Sequence, residues 1–271
     1  MSYRTILVHV ADDAGGEARL QAAWALASRF DAVLHGLHVS AAPVMTMGWY
    51  GELGTHVSTQ IVEAQRAANR EVSGRLRALF ERVCGSDADT LWQEAEGDAA
   101  ELLARAAHTA DLVVAARDDE DAPETRAVVD HLAVAAGVPV LMLPPHAPAE
   151  LGKVVLVGWN GSREATRAAH DALPLLRLAE RVVVCAVGEP GAGSVDAAAA
   201  MLRRQGVPVE AERVEAAQGG AGATLLAEAA SREADLLVMG AYGHARLREL
   251  VFGGATRHVL RQAAMPVLFS S

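Results

Sequence analysis

The sequence predicts an α/β protein built from two similar halves, each a five-stranded parallel sheet between layers of helices. Apolar runs of four to six residues alternate along the chain with helical patterns of ten or more residues. Such continuous runs are typical of strands that are buried on both faces, as in parallel sheets. The order of these patterns in residues 1–146 recurs in residues 152–271, and a length of 271 residues favours two domains.

The first half begins with a strand pattern at residues 5–10, followed by an alanine-rich helical pattern over residues 17–30. A second strand is predicted at residues 33–39, and later strands at residues 110–114 and 139–143. Strand, helix and strand in repetition predict parallel pairing with right-handed crossovers.

An extra segment, residues 41–59, separates the second strand of this half from a long helical pattern over residues 60–83. Its large apolar side chains are Met45, Met47, Trp49 and Tyr50. Such a segment can pack as a lid on its own domain, or it can present a surface to a ligand or a protein partner. The sequence leaves both interpretations open.

The second half repeats the same order, starting from a strand pattern at residues 154–157 and a helical pattern over residues 162–178. The later strand patterns of this half fall at residues 182–187, 234–238 and 266–269. Prolines within residues 144–152 mark the predicted seam between the halves, because proline ends regular structure.

Charge and composition exclude several classes of protein. A net charge of −10 leaves no basic excess of the kind that a general nucleic-acid binder needs. Lys153, at the start of a strand pattern, is the single lysine of the sequence. Because both motifs need a lysine in another context, the sequence excludes a P-loop and a kinase-type strand lysine. Cys84 and Cys185 are far apart, and no apolar stretch reaches the ~18 residues of a membrane helix. We therefore predict a cytoplasmic protein without nucleic-acid or membrane partners.

A glycine pattern after the fourth strand of the second half is the strongest functional signal. Gly240 and Gly243 follow this strand, and Gly253 and Gly254 precede a helical pattern that contains Thr256. Ligands of open α/β sheets bind at the carboxyl ends of the strands. Glycines let the backbone approach a ligand closely, and a helix N-terminus attracts phosphate. The pattern therefore indicates a phosphate-binding loop.

The sequence here resembles the universal stress proteins, whose ATP-binding members carry G-x2-G-x9-G followed by Ser or Thr. Gly240, Gly243 and Gly253 match this spacing. The resemblance extends over nearly the whole chain as a tandem of two such domains, 1–146 and 152–271. It implies flavodoxin-like, Rossmann-type domains that pack as a pseudo-dimer through their last strands. Further homodimerisation is left open.

The resemblance also implies a ligand, ATP or ADP, and leaves open whether Mg²⁺ accompanies it. It assigns no catalytic residue and no protein ligand to a metal. The residues that it places around the nucleotide are Gly158, Trp159, Asn160, Val187, Met239, Gly240, Gly243, Gly253, Gly254, Ala255 and Thr256.

Two positions of the second half depart from the family pattern. Asn160 stands where the family usually has an aspartate near the ribose and phosphates, and Gly254 stands where a serine usually follows the third glycine. Asparagine can form hydrogen bonds but carries no charge that would help to hold a metal. Since the sequence shows no general base or metal-binding carboxylate beside this loop, it predicts slow hydrolysis at most.

The first half departs further from the family pattern. Ala116 and Asp119 replace the first two glycines, and acidic residues within 118–124 would repel phosphate. Asp12 or Asp13 matches the family's first-strand aspartate, but no phosphate loop accompanies it. We expect no nucleotide in this half, and we interpret the acidic run as a solvated loop, with a metal site as the weaker alternative.

Three functions remain open from the sequence. The first is a stress-response or signalling protein whose second half binds ATP or ADP and whose protein partner is unknown. The second is an interaction protein with a vestigial nucleotide site that binds a partner through residues 41–59. The third is an enzyme, either one that acts on an adenylated or small polar substrate or a slow ATPase, for which the sequence offers no clear catalytic constellation.

Overall fold

Strands from both halves of the chain join in a single sheet in the computed structural model. The model describes residues 2–43, 54–85, 89–117, 128–188, 194–242 and 254–271, and the side chains of residues 54–59 lie outside this description. The strands of the described residues form a ten-stranded sheet with helices on both faces, as the sequence predicts for an α/β protein.

The first half alternates strands and helices from its start to its end. Its elements are β1 (Thr5–His9), α1 (Gly16–Phe30), β2 (Val33–Ser40), α2 (Gly54–Cys84), β3 (Thr90–Glu96), α3 (Ala99–Ala107), β4 (Leu112–Ala116), α4 (Val128–Ala135) and β5 (Val140–Leu143).

The second half follows the same plan, with one additional short helix. Its elements are β6 (Val154–Trp159), α5 (Arg163–Asp171), α6 (Leu173–Leu176), β7 (Arg181–Val187), α7 (Val195–Arg204), β8 (Val209–Val214), α8 (Gly220–Ser231), β9 (Leu236–Gly240), α9 (Gly254–Gln262) and β10 (Val267–Ser270).

The sheet has a pseudo-symmetric strand order, β3-β2-β1-β4-β5-β10-β9-β6-β7-β8. Within each half the strands are parallel and follow the order 3-2-1-4-5 of a Rossmann-type sheet. The halves meet where the last strands β5 and β10 pair antiparallel, with Leu268 opposite Leu141. The expected pairing of the two halves through their last strands is therefore confirmed.

Two hydrophobic cores lie on opposite faces of this sheet, because successive strand residues point to opposite sides. One core, which includes Val8 and Val157, is covered by α1, α2, α5, α6 and α7. The other, which includes Leu7 and Leu156, is covered by α3, α4, α8 and α9. Each core extends through both halves.

Hydrogen bonds also join the halves away from the strand pair. The hydroxyl of Tyr3 donates to the carbonyl oxygen of Asp171 at 2.7 Å, and Arg117 Nη1 donates to the carbonyl oxygen of Ala263 at 2.9 Å. Tyr3 also packs edge to face on Phe30, with ring centroids 5.1 Å apart.

The helix boundaries differ from the sequence expectation in two places. The pattern over residues 162–178 is divided into α5 and α6, because Pro174 lacks the N–H that would continue the helix. The long helix α2 begins at Gly54, inside the segment expected to precede it. Residues 44–53, with Met45, Met47, Trp49 and Tyr50, lie outside the described residues. No helix in the described part of the chain has the length and apolar character needed to cross a membrane.

Candidate functional site

A cavity of about 450 Å³ opens at the carboxyl ends of β6, β7 and β9 in the second half. The strands β6 and β9 are neighbours, although they are not consecutive in sequence. The chain therefore leaves them in opposite directions across the sheet, which makes this edge a topological switch point. Ligands of open α/β sheets bind at such points.

The cavity brings together nine of the eleven residues expected around the nucleotide. Gly243 and Gly253 are the other two, and both lie outside the described residues. The nine lining residues are Gly158, Trp159, Asn160, Val187, Met239, Gly240, Gly254, Ala255 and Thr256.

The lining also contains residues that the sequence reasoning did not select. Two of them, Ala221 and Leu225, come from α8, for which no motif marked a cavity-facing side. The others are Gly161, Ser162, Glu164, Ala165 and Cys185. Cys185 is two residues before Val187 on β7, so the period of a strand would have placed both on one face.

Part of the cavity lining is apolar. Cys185, Leu225 and Met239 are buried, and all belong to the core under α8 and α9. Burial raises the pKa of the Cys185 thiol to about 11, so the thiol is protonated near neutral pH. These side chains suit the flat, weakly polar face of a nucleobase.

Two glycines allow the elements around the cavity to approach closely. A Cβ on Gly240 would lie 2.6 Å from the backbone nitrogen of Ala165, and one on Gly158 would lie 3.0 Å from Leu225 Cδ1. Gly240 therefore brings the end of β9 against the first turn of α5. Any larger residue there would push these two elements apart.

The N-terminus of α9 borders the cavity on another side. Gly254 is exposed, and no atom lies within 4 Å of the place that a Cβ would take there. Thr256 is buried, and its Oγ1 accepts a hydrogen bond from the backbone N–H of Tyr242 at 3.5 Å. The first N–H groups of a helix carry partial positive charge and bind anions.

The loop between β6 and α5 is held by side-chain caps. Ser162 Oγ accepts a hydrogen bond from Ala165 N at 3.1 Å, which caps α5. Asn160 Oδ1 in turn accepts from Ser162 N, also at 3.1 Å. Because the oxygen of Asn160 is used inside the loop, its amide group is left as a donor toward a ligand.

Glu164, in the first turn of α5, places a carboxylate in the cavity lining. Its side chain is 9% exposed, with Oε1 lying 3.3 Å from Nη2 of Arg163 and Oε2 without a hydrogen-bond partner. The indole Nε1 of Trp159 is also buried without a partner. The sequence reasoning named no general base or metal-binding carboxylate beside the glycine loop, and it did not select Glu164. An acidic residue in a first helical turn is common enough that sequence alone gave Glu164 no special weight.

At the corresponding edge of the first half, a space of about 20 Å³ is lined by Asp13, Arg19, Ala116 and neighbouring residues. A cavity of about 310 Å³ also lies at this edge, where β2 and β3 end, and its lining includes His38, Arg66 and Glu94. The buried guanidinium of Arg19 contacts both carboxylate oxygens of Asp13, and its Nε donates to the carbonyl oxygen of His9 at 2.8 Å. The whole acidic run 118–124 lies outside the described residues. Elsewhere, the described part of the chain contains no group of three or more His, Cys, Asp or Glu side chains placed to hold a metal.

Comparisons with known proteins point to one family. Residues 152–270 match the model of the universal stress protein family. Over 34 residues, the chain is 59% identical to a universal stress protein of Synechocystis sp., an alignment that spans only 12% of that relative's length and 12% of this chain.

Solved structures match over almost the whole chain. A universal stress protein from Archaeoglobus fulgidus gives a TM-score of 0.71 at 15% identity, covering 98% of this chain and 96% of that chain. A functionally unknown protein from Pseudomonas aeruginosa gives a TM-score of 0.58 at 17% identity, covering 99% of this chain and 92% of that chain. At these identities the likeness shows the tandem fold.

Proposed function

We propose that this chain, whose residues 152–270 match the model of the universal stress protein family, binds an adenine nucleotide in its second-half cavity. The observation that carries the proposal is that nine of the eleven residues implied by the family resemblance line one cavity of about 450 Å³. A volume in the range of ~300–1,000 Å³ is typical of small-molecule sites.

The polarity of the cavity supports a nucleotide with its base at one end and its phosphates at the other. Leu225, Met239 and Cys185 offer an apolar surface for the base. Gly254, Ala255 and Thr256 offer helix N–H groups and a hydroxyl for the phosphates. No lysine is required for this mode of binding.

The first half has a supporting role in this proposal. Beside β1 and β4 of this half, the ion pair of Arg19 and Asp13 leaves a space of about 20 Å³, and Ala116 stands where the first glycine of the motif would be. We therefore expect one nucleotide per chain, held in the second half. Nucleotide binding would then change how the protein binds its protein partners, as expected of a stress-response or signalling module.

The test is the nucleotide content of the purified protein, followed by calorimetric titration with ATP and ADP. The decisive variant is Gly254→Glu, which introduces a negative charge at a position where an added Cβ meets no other atom within 4 Å. It should abolish nucleotide binding while the protein still folds, because the carboxylate repels the phosphates.

Gly254→Ala is the matched control, because it fills the same open space without a charge and should still bind. If the unmodified protein neither retains nor binds a nucleotide, the proposal fails. The interaction-protein alternative then becomes the working function. Binding that survives Gly254→Glu would place the phosphates somewhere else.

A further inference from the structure

The cavity of about 310 Å³ in the first half lies between helix α2 and the carboxyl ends of β2 and β3. Eight of its nine described lining residues are polar or charged. It shares no described residue with the second-half site. Its volume is within the range of ~300–1,000 Å³ that is typical of small-molecule sites, so it has room for a ligand of its own.

The face of α2 that meets the sheet changes from apolar to polar along the helix. Leu76 and Phe80 are buried on this face and belong to the hydrophobic core. In the preceding turns the same face carries the helix side chains that line the cavity, which are Arg66, Asn69, Arg70 and Ser73. A polar cavity therefore takes the place of a continued core between α2 and the ends of the strands.

The strands contribute two pairs of side chains from one face of the sheet. His38 of β2 is opposite Glu94 of β3, and Ser40 is opposite Glu96. All four line the cavity, because every second residue of a strand points to the same side. Glu94 Oε1 accepts a hydrogen bond from the indole Nε1 of Trp92 at 2.8 Å, which holds the pKa of this carboxyl below its usual range. The strand side of the cavity is therefore acidic.

His38 brings a buried nitrogen without a partner to this cavity. The residue is 5% exposed, and its Nδ1 lies 3.0 Å from the carbonyl oxygen of Val10. Because a carbonyl oxygen can only accept, Nδ1 carries the hydrogen, and Nε2 of the neutral ring is an acceptor. Nε2 is buried and has no hydrogen-bond partner among the described residues. Since an unpartnered buried acceptor costs free energy, Nε2 indicates a ligand group that donates to it.

The helix side of the cavity is basic. Arg66 and Arg70 are one turn apart and exposed, and neither forms an ion pair with a described carboxylate. Further along α2, Arg75, Arg77 and Arg82 each pair with a carboxylate at 2.8–3.1 Å. Like charges at this spacing repel each other, so an anionic group bound beside both would relieve the repulsion. This arginine pair, Arg66 and Arg70, therefore suits a carboxylate of a ligand.

We propose that the cavity binds a small zwitterion of the α-amino acid type, with its ammonium group at His38 and Glu94 and its carboxylate at the arginine pair. The lining carries two positive and two negative charges, so a ligand with one charge of each sign is complementary to it. An ammonium group has three hydrogens to donate, which serves both the histidine nitrogen and the glutamate. This inference is independent of nucleotide binding in the second half.

The test screens the twenty protein L-amino acids, and inorganic phosphate, at millimolar concentration for stabilisation of the full chain against thermal unfolding. A ligand that binds only the folded protein raises the midpoint. We expect at least one amino acid, and not phosphate, to do so. Stabilisation by none of the amino acids would overturn the inference. Stabilisation by phosphate alone would also overturn it, because the cavity would then be a simple anion site.

Derivatives of the amino acid that binds show whether both of its charges matter. Its primary amide lacks the carboxylate, and its N-acetyl form lacks the ammonium group. In calorimetric titration of the unmodified protein, each should bind about tenfold more weakly or worse, the scale of a hydrogen bond to a charged group. Equal affinity of either derivative and the free amino acid would contradict a zwitterion site.

Variants then locate the site. Glu94→Gln removes the charge beside the ammonium group but keeps an acceptor for Trp92, and Arg70→Gln removes half of the arginine pair. Each should weaken amino-acid binding about tenfold, with an unchanged midpoint of urea unfolding. Arg82→Gln, on the same helix but outside the cavity, is the matched control and should keep full affinity. Full affinity in both cavity variants would overturn the inference. ATP titrations of the same variants report on the second-half site separately.

Discussion

The hydroxyl of Tyr242 donates a hydrogen bond of 2.7 Å to Oδ1 of Asp130, joining the loop after β9 to helix α4 of the other half. The backbone φ of Tyr242 is 54°, in the left-handed region that residues with a side chain rarely adopt. Its backbone N–H points to Thr256 Oγ1 at the start of α9. The beginning of the proposed phosphate loop is therefore tied both to its own domain and to the first half.

Removing this hydroxyl should weaken the whole molecule. Tyr242→Phe keeps the ring and the left-handed backbone but loses a hydrogen bond to a carboxylate. We expect the free energy of unfolding to fall by about 1 kcal/mol, a modest loss because the bond is exposed to solvent. Urea unfolding measures this change. Asp130→Asn retains an acceptor and should cost less, and equal stability of Tyr242→Phe and the unmodified protein would show that the bond contributes nothing.

The contacts of Gly240 lead to a prediction about packing. In Gly240→Ala the new Cβ would lie 2.6 Å from both the backbone nitrogen of Ala165 and the carbonyl carbon of Glu164. Backbone atoms cannot move aside as a flexible side chain can, so β9 and α5 must separate. We expect a loss of about 1–3 kcal/mol in the free energy of unfolding, the usual cost of overpacking.

Gly254→Ala is the matched comparison for this change, since its Cβ would meet nothing within 4 Å. It should leave the midpoint of urea unfolding nearly unchanged. If the two alanine variants were equally stable, the close approach of β9 and α5 would not matter for folding.

Much of the fold could be predicted because its signals are local and repeated. Apolar runs located β1, β6 and β9 to within a residue or two, and the repetition of the pattern predicted two halves. The division of α5 from α6 depends on Pro174, whose effect on a helix is also local. The edge strand β3 is half-exposed and lacks a continuous apolar run, so its sequence gave little indication of it.

Residues of the candidate site could be predicted where a sequence motif contains them, but not where tertiary packing alone brings them to the cavity. Glycine spacing pointed to Gly240 and Gly254. Nothing local distinguishes Glu164 from an ordinary acidic residue in a first helical turn. Its unpaired oxygen becomes visible only when α5 is placed against the end of β9.

The buried ion pair of Arg19 and Asp13 in the first half should contribute strongly to stability. The Arg19 side chain is 2% exposed and that of Asp13 is 18% exposed. Arg19→Met leaves the carboxylate without its partner, and breaking a buried pair in this way costs about 3–5 kcal/mol. Urea unfolding of Arg19→Met, Asp13→Asn and the double variant should show that the two losses are not additive.

An exposed ion pair in the same half provides the contrast. Arg4 and Asp31 have side chains that are 69% and 95% exposed. Arg4→Met should therefore change the free energy of unfolding by no more than about 1 kcal/mol. A comparable loss in Arg4→Met and Arg19→Met would contradict the importance of burial for the second pair.

His9 should make the protein sensitive to acid. Burial, with the charge of Arg19 as the next cause, lowers the pKa of His9 from 6.5 to about 3. Between these values the unfolded chain binds a proton at this residue and the folded chain does not, so the contribution to stability is present above pH 6.5 and is lost as the pH falls toward 3. The free energy of unfolding should therefore change with a slope of about 1.4 kcal/mol per pH unit in this range.

Urea unfolding between pH 7.5 and 4.5 tests this prediction. The free energy of unfolding should depend less steeply on pH in His9→Met than in the unmodified protein. His131→Gln, at an exposed histidine, should keep the original slope. An unchanged slope in His9→Met would mean that other groups cause the acid sensitivity.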